Sequence, residues 1–189
     1  MPVRIKLLTF DLDDTLWPCK PTIMAAEQKL YAWIQQHVPQ IARQYDSEAI
    51  FLKRREFMQQ RPDLLYDMSK LRIESLKKLS DEIGIHHDWI DEAFEVFFQA
   101  RQQVELYEDV APTLDRLSSD YTLVAVSNGN ADIRLTGVDH WFEFSVSAAD
   151  VGEQKPHPLV FQTAMSVSYT HLTLPTKEDE CRSRGSPGH

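Results

Sequence analysis

The chain has 189 residues, enough for one domain or for a domain carrying an insertion. Its 42% hydrophobic and 26% charged content reads as globular, and a net charge of −9 argues against general nucleic-acid affinity and demands local positive charge wherever an anionic ligand sits. Cys19 and Cys181 form neither a disulfide framework nor a zinc pattern and fit a reducing cytoplasm, and no stretch approaches the roughly 18 apolar residues of a membrane span.

Residues 3–10 predict a buried strand that ends abruptly on Asp11, Asp13 and Asp14. The apolar run before Asp11 is too short for a signal peptide. Carboxylates this close repel, and folding does not require them, so a cation or a reaction is expected there. From Thr22 the period becomes helical, with Ile23, Ala26, Leu30, Trp33 and Ile34 on one face and Pro39 as the stop. Ser47 is placed to cap a second helix bearing Ile50, Phe51, Arg54 and Phe57. Asp63 is placed to cap a third, with Leu71 and Leu79 inward and Gly84 as its end, and Asp88 a fourth, with Ile90, Ala93, Phe94 and Phe97 inward. Lys53-Arg54-Arg55 and Lys77-Lys78 read as solvated faces, His86-His87-Asp88 as a solvated turn, and Trp33, Trp89, Phe97 and Phe98 as core of the helical block.

After this block the pattern changes. Pro112 suits a helix start, 121–126 is a β-branched apolar strand ending in Ser127-Asn128-Gly129-Asn130, and 142–146 is a third strand. The order predicts an α/β fold: a Rossmann-like parallel sheet core formed by 1–16 and 107–166, with a four-helix block, 17–106, inserted after the first strand. Ligands of open α/β sheets bind beyond the carboxyl ends of strands, where Asp11, Asp13 and Ser127 fall. Asp11 and Asp13 point the same way and suit one nucleophile, one proton donor and a hard cation such as Mg²⁺. The Ser127 hydroxyl and the N–H groups of Asn128 and Gly129 suit phosphoryl oxygens, and Lys155 supplies a cation.

Asp11-x-Asp13-x-Thr15 after one strand, Ser127-Asn128 after a second and Lys155-Pro156 after a third resemble, in order and context, the first three motifs of the haloacid dehalogenase superfamily of hydrolases. The resemblance covers about residues 5–165 and places a C1-type cap at 17–106. It implies a Mg²⁺-dependent phosphatase acting through an aspartyl-phosphate. Asp11 would be the nucleophile, Asp13 the acid and base, and Lys155 the neutralising cation. Ser127, with Asn128 and Gly129, would hold phosphate, and the metal would sit on the Asp11 carboxylate and the Asp13 carbonyl. Dehalogenases of the superfamily lack the second aspartate because a halide needs no proton, so Asp13 favours phosphoryl chemistry. The stretches "TFDLDDTLW" and "FEFSVSAADVGEQKPHPLVF" look most like the branch that dephosphorylates a ribitylamino-uracil phosphate, which implies a small phosphorylated metabolite, a flavin precursor, as partner. A sugar-phosphate mutase, a dehalogenase and an inactive phosphate-binding fragment are the alternatives.

The family's fourth motif, a strand ending in Gly-Asp that completes the metal site, is expected after Lys155 and does not appear. Glu178-Asp179-Glu180 is a poor substitute, and helix periodicity breaks at Met165. The stretch Val167–Thr176, "VSYTHLTLPT", resembles the translation of a transposase-end sequencing adaptor. The expectation is a C-terminally truncated record in which 167–189 is a non-native tail, with weak metal binding and little or no phosphatase activity.

Overall fold

In the computed structural model, which describes residues 6–173, Leu7–Phe10 (β1), Thr122–Ser127 (β2) and Phe144–Ser147 (β3) form a parallel sheet of order β1-β2-β3. The register pairs Phe10 with Ala125 and Ser127 with Ser147, so all three strands point their carboxyl ends the same way. Alternation divides the β2 side chains between two cores. Leu123 and Ala125 pack with Leu12, Trp17, Val110 and Leu114, the last two from helix Val110–Ser118 (α6). Val124 and Val126 pack with Val160 and Ala164 of helix Pro158–Thr173 (α8).

Between β1 and α6 the chain is helical: Cys19–His37 (α1), Pro39–Gln44 (α2), Ser47–Gln60 (α3), a 3₁₀ turn at Pro62–Leu64, Met68–Ile83 (α4) and Ile90–Arg101 (α5). This is the expected insertion after the first strand, with its own core on Leu30, Ile34, Ile41, Leu76, Ile90 and Phe97. Where it rejoins the sheet, the Tyr107 N–H donates to the Leu16 carbonyl at 3.0 Å, so the segments leading into and out of the insertion lie side by side. The sequence predicts four helices here. Pro39 does end α1, but with no N–H to lose it also serves as the first residue of the short α2.

The helix starts shift as well. Asp46, not Ser47, caps α3 through Ala49 N–H at 2.8 Å, and Asp67, not Asp63, caps α4 through Lys70 N–H at 2.9 Å, because Pro62–Leu64 closes a separate turn first. Asp88 caps nothing, since α5 begins after Trp89 without a side-chain cap. Gly84 ends α4 at φ 71°, a left-handed position glycine takes without Cβ strain. Helix Ala148–Val151 (α7) is absent from the predicted elements, although Ser147 and Asp150 form a reciprocal capping box. The predicted break at Met165 is absent: α8 runs to Thr173. Tyr and Thr each disfavour helix by only about 0.5 kcal/mol, and no Gly or Pro follows until Pro175. Residues 1–5, Glu178-Asp179-Glu180 and Cys181 lie outside the described residues. No described helix is long and apolar enough to cross a membrane.

Candidate active site

The parallel pairing of β1 and β2 sets Asp11 beside the end of β2. Lys155 reaches the same point from the loop after β3 and α7. Its Nζ donates to the Asp11 carboxylate and to the Val126 carbonyl, the latter at 2.6 Å. The Asn128 side chain clasps the Lys155 main chain, accepting from its N–H at 2.7 Å and donating to its carbonyl at 3.2 Å, while a cis peptide bond joins Lys155 to Pro156. Asn128 therefore positions the lysine loop through its side chain, a role its expected N–H contact did not suggest. Ser127 is buried, and its Oγ accepts from the Gly129 N–H at 2.9 Å. That amide was expected to meet a phosphoryl oxygen and here is given to Ser127. Asp11, Asp13, Ser127, Asn128, Gly129 and Lys155 all line one cavity of about 410 Å³.

Asp13 is gripped from two sides. Trp17, fully buried, donates from Nε1 to Oδ1 at 2.9 Å. Arg101, the last residue of α5, donates from Nη2 to Oδ1 at 2.8 Å and Oδ2 at 2.6 Å. Arg101 is 1% exposed; its Nε donates to Asn130 Oδ1 at 3.0 Å, and its Nη1 has no partner among the described residues. The next residue, Gln102, holds the Asn130 carbonyl and the Asp132 N–H, so the insertion's exit is tied to the loop after β2. Neither Trp17 nor Arg101 is predicted as a site residue. The signal for Arg101 was a charged residue four positions after the inward-facing Phe97. Asp14 is structural: at φ 59° its carboxylate accepts from the Cys19 N–H at 2.8 Å and starts α1. Thr15 Oγ1 lies 3.5 Å from Asp11 Oδ2.

The insertion contributes further lining to this cavity. Arg72 of α4 donates to both Glu27 oxygens, at 3.2 and 2.8 Å, and Arg54 of α3 donates to the same carboxylate. Arg54 is therefore not part of a solvated face. Its side chain is 18% exposed and its buried Nε has no partner among the described residues. The Arg72 guanidinium lies 3.2 Å from the Phe97 ring centroid, and Phe97 is both insertion core and cavity wall. Burial, and then the charge of Arg54, push the Arg72 guanidinium down to about 10, so it stays protonated at neutral pH. His87, by contrast, makes an exposed pair with Asp81, as a solvated turn would.

A family model for haloacid dehalogenase-like hydrolases matches residues 5–167. The chain belongs to this family. It is 29% identical over 157 residues to the 5-amino-6-(5-phospho-D-ribitylamino)uracil phosphatase YigB of Escherichia coli (strain K12), across 81% of this chain and 66% of that one, so it spans just under two thirds of that relative. A crystal structure of a 2-haloacid dehalogenase from Pseudomonas syringae pv. Tomato DC3000 is 36% identical, with a TM-score of 0.79 over 88% of this chain and 74% of that one. The HAD-hydrolase YfnB of Bacillus subtilis, solved bound to magnesium, shares the fold at 18% identity and a TM-score of 0.59, over 92% of this chain and 76% of that one.

In this haloacid dehalogenase-like chain, no group of three or more His, Cys, Asp or Glu side chains among the described residues is placed to hold a metal ion. Lys155 occupies one Asp11 oxygen and Arg101 both Asp13 oxygens. Mg²⁺ demands a near-octahedral oxygen shell. The described residues do not fit it as they stand: Asp11 with the Asp13 carbonyl is an incomplete set.

Cys19 reports on the same corner. Burial, and then the Asp13 charge, push its thiol from 9.0 to about 11. The raised value leaves about 100-fold less thiolate at pH 8 than an ordinary cysteine has. Iodoacetamide labelling of Cys19, followed by peptide mass spectrometry, should therefore be slow at pH 8 and climb towards pH 11. Asp13→Asn should speed the reaction at pH 8; an Asp13→Asn chain labelled no faster than the parent would separate the two groups.

Proposed function

We propose that this hydrolase cleaves small phosphomonoesters, and the observation that carries the reading is Asp13. A second carboxylate faces the cavity beside Asp11, and an alkoxide leaving group needs a proton where a halide does not. The Asp11 oxygen not held by Lys155 attacks phosphorus and forms a mixed anhydride as the ester P–O bond breaks. Asp13, which enters the step carrying a proton taken from solvent, passes it to the departing oxygen and then takes one back from the water that opens the anhydride. To do so, one Asp13 oxygen must leave Arg101. Lys155 offsets negative charge on Asp11 and the phosphoryl group, and the Ser127 hydroxyl, with the Asn128 N–H, binds the phosphoryl oxygens.

The cavity suits a ligand of metabolite size. The identity to the E. coli phosphatase supports a ribitylamino-uracil phosphate as the candidate substrate, in the cytoplasm. The division into core, 1–16 with 107–166, and cap, 17–106, belongs to this proposal, as does the reading of 167–189 as a non-native tail. Genomic DNA continuing past codon 166 into another strand would support the tail reading, and DNA matching the chain through His189 would end it. The incomplete cation site makes slow turnover the expectation for the 189-residue chain, and a Mg²⁺ requirement is proposed from the family alone. A second reading, dehalogenation, is favoured by the name of the 36% identical structure.

Leaving-group dependence tests the role of Asp13. Asp13→Asn should slow hydrolysis of an alkyl phosphate by about 10²-fold or more. It should slow p-nitrophenyl phosphate far less, because p-nitrophenolate departs without a proton. Equal losses on both esters would show that Asp13 is not the acid.

A further inference from the structure

The part of the cavity wall that the insertion contributes holds more positive charge than carboxylate to pair it. Two guanidinium groups, Arg54 and Arg72, share one carboxylate, Glu27. At the sheet end the count is balanced, with Lys155 on Asp11 and Arg101 on Asp13. Arg72 is 6% exposed, Glu27 16% and Arg54 18%, so the excess cation sits largely out of water, where an uncompensated charge is unfavourable. Arg72 and Glu27 would form a complete pair by themselves. Arg54 adds a repelling neighbour, which contributes to the lowered Arg72 value, and it leaves a buried Nε–H without a partner among the described residues. Within the fold Arg54 has the Glu27 bond and the Phe51 ring centroid 5.3 Å from its guanidinium carbon, and neither uses its Nε–H. Arg54 and Arg72 line the same cavity as Asp11 and Lys155, with the Arg72 guanidinium 3.2 Å from the Phe97 ring centroid.

We propose that Arg54, held beside Arg72 by Glu27, is a specificity-determining residue that binds a planar oxygen-acceptor group, a carboxylate or a conjugated ring carbonyl, at the end of the substrate remote from the phosphate. The proposal deepens the phosphomonoester reading and rests on it for the phosphate end. A guanidinium offers donors in one plane, which matches such a group better than an ammonium does. Removing Arg54 leaves the Arg72–Glu27 pair intact, so the fold should survive.

Calorimetric titration of the full chain tests this with glycerol 1-phosphate, which has no distal acceptor, 3-phosphoglycerate, which has a carboxylate, and uridine 5′-monophosphate, which has ring carbonyls. Acetate and uridine serve as phosphate-free probes. One of the two acceptor-bearing esters should bind about tenfold more tightly than glycerol 1-phosphate, and which one does so identifies the acceptor. Arg54→Met should bring that ratio to about one, Arg54→Lys should restore it only in part, and thermal unfolding should show no loss of stability in either variant. Equal affinity for all three esters in the parent chain, no binding of any probe by the folded chain, or a ratio that survives Arg54→Met would overturn the proposal. If instead the phosphate esters fail to bind while acetate or uridine binds in an Arg54-dependent way, the acceptor site stands and the phosphomonoester reading falls. Glycerol 1-phosphate binding that Lys155→Met weakens, with no acceptor preference, sinks the acceptor site alone.

Discussion

Arg101→Leu should destabilise the chain by about 3 kcal/mol, lowering its midpoint of thermal unfolding by roughly 9 °C. The substitution removes both Arg101 bonds to Asp13 and the bond to Asn130, and it leaves the Asp13 carboxylate, 18% exposed, with the neutral donors Trp17 and Cys19 in place of a cation. Breaking one side of a buried pair strands the other charge, which is the larger part of the effect. A double-mutant cycle separates the contributions. Adding Asp13→Asn should recover a third or more of the loss, because the stranded charge is gone. Losses that simply add would show that Arg101 and Asp13 are not coupled.

Gly129→Ala should be nearly as disruptive, for a steric reason. A Cβ at this position would sit 2.5 Å from Asp13 Oδ2, 3.3 Å from Arg101 Nη2 and 3.4 Å from Ser127 Oγ. A free aspartate could swing aside, but Trp17 and Arg101 hold this one. The methyl group must displace Asp13 or the loop carrying Ser127 and Asn128, so the variant should lose about 1–3 kcal/mol in urea unfolding and most of its affinity for inorganic phosphate. Asp13→Ala removes the clashing oxygen. In that background Gly129→Ala should have almost no effect on stability, and an undiminished effect would place the strain elsewhere.

The strands and the main site were legible because their signals are local. Short apolar runs ending in polar turns marked β1, β2 and β3, and the rule that ligands sit at strand ends placed Asp11, Asp13 and Ser127 at one end of the sheet, with Lys155 on the loop after the third strand. Pairing across the fold was not legible. Trp17 and Arg101 meet Asp13 from four and 88 residues away, and no spacing rule links them. What could be read was phase: Arg54, Arg72 and Arg101 each fall on the buried face of their helix, where a charge demands a partner or a ligand. Reading Lys53-Arg54-Arg55 as one solvated run averaged away that information. The helix boundaries moved for the same reason, because several acidic residues near each start compete for the cap and local backbone geometry chooses among them. At Met165, the few tenths of a kcal/mol per residue that weak helix formers cost is too little to end a helix.

The most direct test is the product released by the 189-residue chain, measured with Mg²⁺ in large excess, from a panel of phosphomonoesters and from 2-haloacids, beside an Asp11→Asn control. Slow release of inorganic phosphate that disappears in Asp11→Asn, with no halide release, is the expected result. Halide release that depends on Asp11, or phosphate release no faster than from Asp11→Asn, would contradict it.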